Sequence, residues 1–376
     1  MKVLMWVRME YFDLEGGDKI QIENTAAELR KLGVEVDISA DTDVDLSGYD
    51  VVHVFQLDWT PETYLHVNKA KKFGKPIVLS PIHHRVSEVK RFDDEYTFGW
   101  RRLTKYFFRE QHNRDVWKNI YRSVFNLRKL KPTLLSLVIG FVNMHRKTLG
   151  MVDKVLVQTE LEAKDLKDTY GVDFSWIKVP NGVGEHFLHA ENEKNQFDFE
   201  NYILCVGRIE ARKNNLNIIK AVKLFREKNN LNTKLVFVGS LNRSDPEYTF
   251  WFARAVRRYS WLVHVLHTPN ERMAAIFKFA KVCVSASWFE TTGLTLLEAL
   301  FCGTNAVASG PRAKEYLGEY ATYCDPGDVT SIVTAIDKEY FAPRPKISDT
   351  MKKTYTWSFT AQKVYEVYNS LTLAKS

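Results

Sequence analysis

The sequence predicts an α/β protein of two doubly wound domains, each a parallel sheet covered by helices on both faces. Three observations predict it. Apolar runs of strand length, such as Val3-Leu4-Met5-Trp6-Val7 and Tyr202-Ile203-Leu204-Cys205-Val206, show little polar alternation, as strands buried on both faces do. They alternate with helix-patterned segments in the order of βαβ units. At 376 residues the chain is long for one core and natural for two.

The first strand, residues 3–7, leads to a loop containing Glu15-Gly16-Gly17-Asp18. A helix over 20–32 follows, with Ile22, Ala26, Leu29 and Leu32 on one face and Gly33 ending it. Residues 34–38 form the second strand. The Gly16-Gly17 pair lacks the G-x-G-x-x-G spacing of a dinucleotide site, which excludes a nicotinamide enzyme. Asp41, Asp43 and Asp45 sit in a polar loop before the strand at 49–54 and read as a solvated turn, not as a metal site. His53 ends that strand as a core histidine. The next strand, from Lys75, runs into Pro81-Ile82-His83-His84-Arg85. Ligands of open α/β sheets collect beyond the carboxyl ends of strands, where this histidine pair falls.

The net charge of +7 is local. Between Arg85 and Lys147 there are 15 Lys and Arg against 6 Asp and Glu, so the remainder of the chain is slightly acidic. Aromatic residues interleave this block, and an apolar run from Leu134 to Met144 closes it. The run is too short to cross a bilayer and suits an interfacial helix on an anionic membrane surface. The competing reading is aromatic side chains packed inwards within the first domain. Nothing in the block matches a nucleic-acid module, so no nucleic acid is expected.

Residues 152–159 give the last strand of the first domain, and Thr159 caps a helix with Glu162 three residues on. Pro180-Asn181-Gly182 is a turn, and the polar run 191–200 reads as linker. The expected domains are therefore 1–184, with the block at about 85–150 as an insertion, and 185–356, with 357–376 as a final helix. The second domain opens on strand 202–206, which delivers Gly207, Arg208 and Lys213 beyond its end. The alternation continues through helix 216–229, strand 234–239, helix 248–259, strand 262–266, helix 270–279 and strand 281–285. After that strand comes Ser287-Trp288-Phe289-Glu290-Thr291-Thr292-Gly293-Leu294-Thr295-Leu296-Leu297-Glu298, a turn running into a helix. Gly293 allows the sharp bend that aims free N–H groups of the helix start at one point, where anions bind. Strands at 306–309 and 322–324 and a helix at 329–340 complete the domain.

Glu290 and Glu298, with Gly207-Arg208-Ile209-Glu210-Ala211-Arg212-Lys213 upstream, resemble the retaining, nucleotide-sugar-dependent glycosyltransferases of family four, the glycosyl transferases of group 1. The resemblance runs from about residue 4 to 368, strong in the second half and faint between 85 and 150. It implies the GT-B fold: two Rossmann-like domains facing each other across a cleft, with the last helix crossing back to the first domain. It implies an acceptor-binding first domain and a nucleotide-sugar-binding second one. In that family the E-x7-E pair holds donor sugar and ribose, and the G-R-x-x-x-x-K pattern holds the diphosphate. Arg208, Lys213, Glu290 and His83 become the expected catalytic residues, with His84 the alternative to His83. Gly16, Gly17, Gly207, Thr292, Gly293, Leu294 and Glu298 become expected substrate-binding residues. Where relatives carry Gly-Phe after the first glutamate, this chain has Thr291-Thr292, which alters the sugar pocket and not the diphosphate seat.

The chemistry follows from charge: negative charge grows on the leaving diphosphate, and fixed donors aimed at it lower the barrier. The expected enzyme is a metal-independent, retaining, hexosyltransferase-type glycosyltransferase without cofactor. Its donor is a UDP- or GDP-linked sugar, and its acceptor a lipid-linked glycan or oligosaccharide of cell-surface polysaccharide or lipopolysaccharide synthesis. Two other readings stay open: a GT-B epimerase or phosphorylase, and a non-catalytic nucleotide-sugar-binding protein. The four cysteines, Cys205, Cys283, Cys302 and Cys324, lie singly in apolar surroundings without C-x-x-C spacing. With a start too quickly charged for a signal peptide, they lead to the expectation of a cytoplasmic protein, peripheral on the inner face of the membrane.

Overall fold

The structure is a computed structural model that describes residues 1–12, 16–96, 98, 106, 114 and 130–373. The chain divides into two compact units. The first comprises 1–86, 106–182 and 354–376; the second comprises 87–105 and 183–353. Much of the basic block, residues 97, 99–105, 107–113 and 115–129, lies outside the described residues, and with it the test of that block as a membrane patch.

The sheet of the first unit has strands β1 (Lys2–Trp6), β2 (Glu35–Ser39), β3 (Val51–Phe55), β4 (Ile77–Ser80), β5 (Lys154–Val157) and β6 (Trp176–Lys178), in the order β2-β1-β3-β4-β5-β6. Every pairing is parallel. Successive side chains of a strand point to opposite faces, and β1 shows why its run is uniformly apolar. Val3 and Met5 enter a core with Ile22, Leu29 and Tyr368, while Leu4 and Trp6 enter another with Val67, Leu79 and Leu166. The final helix, Trp357–Leu373, belongs to this unit and packs on the helix Gly17–Lys31. It is tied down where the Tyr368 hydroxyl meets His53 Nδ1 at 2.6 Å, His53 Nε2 being 2.9 Å from Ser80 Oγ. Burial pushes the imidazole of His53 down to about 3, so it is neutral, as a core histidine. A Cβ on Gly182 would lie 2.2 Å from the backbone at Thr356 and Trp357, so the start of this helix requires glycine beneath it.

The second unit has β7 (Tyr202–Val206), β8 (Leu235–Val238), β9 (Leu262–Val265), β10 (Ala280–Val284), β11 (Asn305–Ser309) and β12 (Ala321–Cys324), ordered β12-β11-β10-β7-β8-β9 and also all parallel. Strand order reverses between β7 and β10, and in the first unit between β1 and β3. Loops leaving such neighbours diverge and open a crevice at their carboxyl ends. All four cysteines are buried and free.

Three expectations need correction. The described residues 87–96 and 98 cluster with the second unit and not with the first. The helix Val86–Glu95 accounts for this: Phe92 packs 5.6 Å from the ring of Phe289, and Arg91 Nη2 pairs with Asp325 Oδ1 at 2.8 Å. The apolar run 134–144 is not one interfacial helix. Gly140, at φ +81, separates helix Leu130–Ile139 from helix Phe141–Met151, which buries Phe141, Met144 and Leu149. Gly16 and Gly17 are not a free loop pair either, since Gly17 is already the first residue of its helix and Gly16 caps it in extended backbone. Among the described residues no helix is long and apolar enough to cross a membrane.

Candidate functional site

In the second unit the site is built by two loops that leave the adjacent strands β7 and β10. β7 ends at Gly207, at φ +131, and the stem of Lys213 lies against it, its Cε 3.5 Å from where a Cβ would stand. The chain then makes a short 3-10 turn, Ala211–Lys213, and Asn214 takes the left-handed conformation before the helix Asn215–Asn229. Asn214 is buried, and its side-chain amide donates to the carbonyls of Ala286 (3.0 Å) and Pro326 (2.7 Å). The Trp288 amide donates to the Arg212 carbonyl at 3.0 Å, and Arg212 Nη1 returns a bond to the Phe289 carbonyl at 3.3 Å. Segments far apart in sequence are thus stitched together at backbone level.

The charged groups follow from that stitching. Glu290 accepts from the Lys213 ammonium with Oε1, and its Oε2 lies 3.6 Å from Arg212 Nη1. Burial alone would raise the Glu290 carboxyl, but Lys213 and Arg212 outweigh it and hold it at about 2, so it is a carboxylate at neutral pH. Glu210 takes the other side of Arg212 (Nη2 at 2.9 Å) and lies 3.8 Å from Arg208 Nη1. Three cations against two carboxylates leave this cluster net positive. Arg208 is therefore grouped with Glu210, and the cation beside Lys213 on Glu290 is Arg212, which sequence reasoning passed over. No pattern in the sequence marks it, because the 3-10 turn that sets it beside Lys213 is visible only in the fold.

Beyond Glu290 the backbone bends at Gly293, at φ +79, which caps the helix Leu294–Phe301. The Leu296 amide bonds the Gly293 carbonyl at 3.0 Å, and the amides ahead of it belong to the unpaired first turn, where Leu294 sits. Thr292 is buried, and its Oγ1 has no hydrogen-bond partner among the described residues, the condition of a polar group that a ligand completes. Glu298 lies in the same helix, keeps some surface, and is pushed up to about 8 because the protein around it desolvates its charged form.

In the first unit, Asp18, directly after Gly16 and Gly17, accepts from Arg8 Nη2 at 3.1 Å and from Gln56. These residues lie at that sheet's point of strand-order reversal. After β4, the Asp58 carboxylate is shared by two rings: His83 Nδ1 on Oδ1 and His84 Nδ1 on Oδ2 at 2.7 Å. Burial would raise the Asp58 carboxyl, but the two histidines hold it well below the carboxylate range. His83 is buried beside Tyr170, whereas His84 keeps partial exposure. Glu162 fixes the loop by accepting from the His83 amide at 3.0 Å and the Gln158 amide at 2.8 Å. Asp58 carries no sequence motif, and only the fold brings it to the histidines. Asp41 and Asp45 accept from the backbone amides of Asp43 and Ser47 as turn residues, at 2.9 and 3.0 Å. Among the described residues no cluster of His, Cys, Asp and Glu is placed to hold a metal ion.

Residues 189–343, which contain both loops of the second-unit cluster, match the family model described as glycosyl transferases group 1. An O-antigen chain mannosyltransferase B of Escherichia coli is 28% identical over 141 residues, 37% of this chain and 37% of that protein. The chain therefore spans little more than a third of that curated relative. An alpha-monoglucosyldiacylglycerol synthase of Streptococcus pneumoniae is 25% identical over 331 residues, 80% of this chain and 69% of that protein. Among solved structures, a sucrose-phosphate synthase of Thermosynechococcus elongatus superposes with a TM-score of 0.74 over the whole of both chains at 15% identity, which identifies the fold as GT-B.

Proposed function

We propose that this chain, whose residues 189–343 match the glycosyl transferases of group 1, is a retaining glycosyltransferase. In this reading it moves a sugar from a nucleoside-diphosphate sugar onto a glycan or lipid-linked acceptor in cell-surface polysaccharide or lipopolysaccharide synthesis. The observation that carries the reading is the net-positive cluster of Arg208, Arg212 and Lys213 with Glu210 and Glu290, next to the open helix start at Gly293.

The donor's diphosphate joins the Lys213 and Arg212 cations, whose mutual repulsion Glu290 now offsets, and takes further hydrogen bonds from the amides after Gly293. In transfer, the acceptor oxygen bonds to the anomeric carbon as the bond from that carbon to the diphosphate oxygen breaks. The acceptor's proton leaves with the nucleoside diphosphate. Charge growing on the leaving oxygen is met by cations already in place, which is how such sites lower a barrier. The protein's own cations meet that charge, so metal is not required in this reading. Glu298 and the Thr292 hydroxyl serve the donor's hydroxyl groups, and His83 or His84 serves the acceptor side. The names of the O-antigen chain mannosyltransferase and the alpha-monoglucosyldiacylglycerol synthase support a glycan or lipid acceptor.

Calorimetric titration with UDP, GDP and ADP tests the reading. One diphosphate is expected to bind selectively in wild type and at least about tenfold more weakly in Lys213→Ala, the scale of one charge-assisted contact. Equal binding of all three by wild type and variant would reject it.

A further inference from the structure

The second unit carries a surface that the donor site does not use. In the helix Pro246–Arg258, Tyr248 and Phe252 are buried, while Phe250 is 60% exposed, Trp251 is 41% exposed, and Arg254, Arg257 and Arg258 face solvent beside them. Positions 250, 254, 257 and 258, with 251 adjacent, recur at the spacing of one helical face. The Arg254 guanidinium lies 5.1 Å over the Trp251 ring, so aromatic and cation act as one unit. Arg243 is exposed just before this helix. The neighbouring helix Asn215–Asn229 adds exposed Lys220, Lys223 and Leu224. Beside these helices opens a cavity of about 420 Å³, lined by Tyr96, Phe98 and Tyr259, by Lys220, Lys223 and Glu95, and on one side by Asn214 and Trp288 of the donor-site loops.

We propose that this face docks on an anionic phospholipid surface. Large rings held at the surface beside arginines suit the headgroup region, where an aromatic ring sits between apolar and wet surroundings. A cationic helix with exposed aromatic residues binds such a surface by apolar burial and by attraction to the negative leaflet together. The cavity gives the apolar part of one lipid a place beside Lys220 and Lys223, whose ammonium groups meet its phosphate. The helix Leu130–Ile139 of the first unit is a poorer match. It exposes Leu134, Leu137 and Val138, but its one lysine or arginine, Lys131, stands in its first turn, and no other follows until Arg146. The inference deepens the proposed function by giving a lipid-linked acceptor a surface to be met on. Its test uses neither donor nor transfer, so each reading can fail alone.

The test is co-sedimentation of the full chain with vesicles of phosphatidylglycerol and phosphatidylcholine, and of phosphatidylcholine alone, at low and high salt. Wild type is expected to bind the anionic vesicles, more weakly as salt rises. The pairs Arg254→Glu with Arg257→Glu and Phe250→Ser with Trp251→Ser are each expected to lower partitioning at least about tenfold. Every residue changed is exposed, and an unaltered melting temperature confirms that the variants fold. Three outcomes overturn the proposal: no binding by wild type, binding unchanged in both pairs, or loss caused only by Leu134→Ser with Val138→Ser. Binding of single-stranded nucleic acid in place of vesicles overturns it as well.

Discussion

Glu290 receives the ammonium of Lys213, a residue 77 positions earlier, and this pair fixes one loop of the second unit against the other. Its carboxylate also faces Arg212 at 3.6 Å, so removing either cation leaves a mostly buried negative charge undercompensated. Lys213→Ala and Arg212→Ala are each expected to lower kcat at least about tenfold, as loss of a charge-assisted contact of roughly 1.5–3 kcal/mol implies. Arg208→Ala is expected to do the same through the diphosphate, and its effect should appear in donor affinity more than in melting temperature, because its side chain stays 38% exposed. Steady-state kinetics with full turnover in all three variants would remove the diphosphate assignment.

The two glutamates of the E-x7-E pair should respond to pH with opposite signs. Glu290 ionises at about 2 in the folded chain against an ordinary 4.5, so its stabilisation is complete above about 4.5 and is lost as pH falls towards 2. Glu298 is raised from 4.5 to about 8, so its favourable contribution belongs to the neutral form and is lost as pH rises through 8. Melting temperatures over this range should show wild type losing its advantage over Glu290→Gln in acid. They should show Glu298→Gln gaining on wild type between about pH 4.5 and 8 and levelling off above. Parallel curves for all three proteins would contradict the charge states assigned here.

Asp58 holds Nδ1 of both His83 and His84, which directs the Nε2 edge of each ring away from the carboxylate. Asp58→Asn is expected to cost at least about tenfold in kcat, the low end of the usual effect of a positioned acid–base group. Combined with whichever of His83→Gln and His84→Gln costs more, it should lose no more than that histidine variant alone. Imidazole nitrogen resonances should report the altered tautomer in Asp58→Asn. Additive losses with unchanged resonances would leave Asp58 a structural residue only.

Asn214→Ala removes a buried amide that serves the carbonyls of Ala286 and Pro326. Each orphaned buried acceptor costs about 1–3 kcal/mol, so chemical denaturation should show a loss of that order or more. A loss below about 0.5 kcal/mol, within the range of a neutral surface change, would mean that the loops are held some other way.

Metal independence has a direct assay. Transfer measured in EDTA should equal transfer in untreated buffer, since Lys213, Arg212 and Arg208 are the proposed neutralising charges. Activity that EDTA abolishes and manganese restores would return Asp41, Asp43 and Asp45 to consideration.

Local pattern carried far in this chain. β7 and the helix Asn270–Phe279 fall on the residues that the sequence predicts, because a run buried on both faces and a 3.6-residue period are written in neighbouring positions. Thr159 caps its helix as read, its Oγ1 accepting from the Glu162 amide at 3.1 Å. Other elements were less legible. The helix Thr60–Lys72 went unread, for its polar residues mask its buried face, and β6, three residues long, is too short to show a period. The Glu162 carboxylate serves His83 and Gln158, a role no capping pattern announces.

By itself the sequence determined two parallel α/β sheets and the loops that bear their charged residues, because strand burial and helix period act over a few neighbours. Only the tertiary structure decided that Arg212 accompanies Lys213 on Glu290, that Asp58 spans two histidines, and that the helix Val86–Glu95 packs with the second unit. Those pairings depend on where distant segments meet, and Coulomb attraction and desolvation act on distance in space, which no spacing along the chain records.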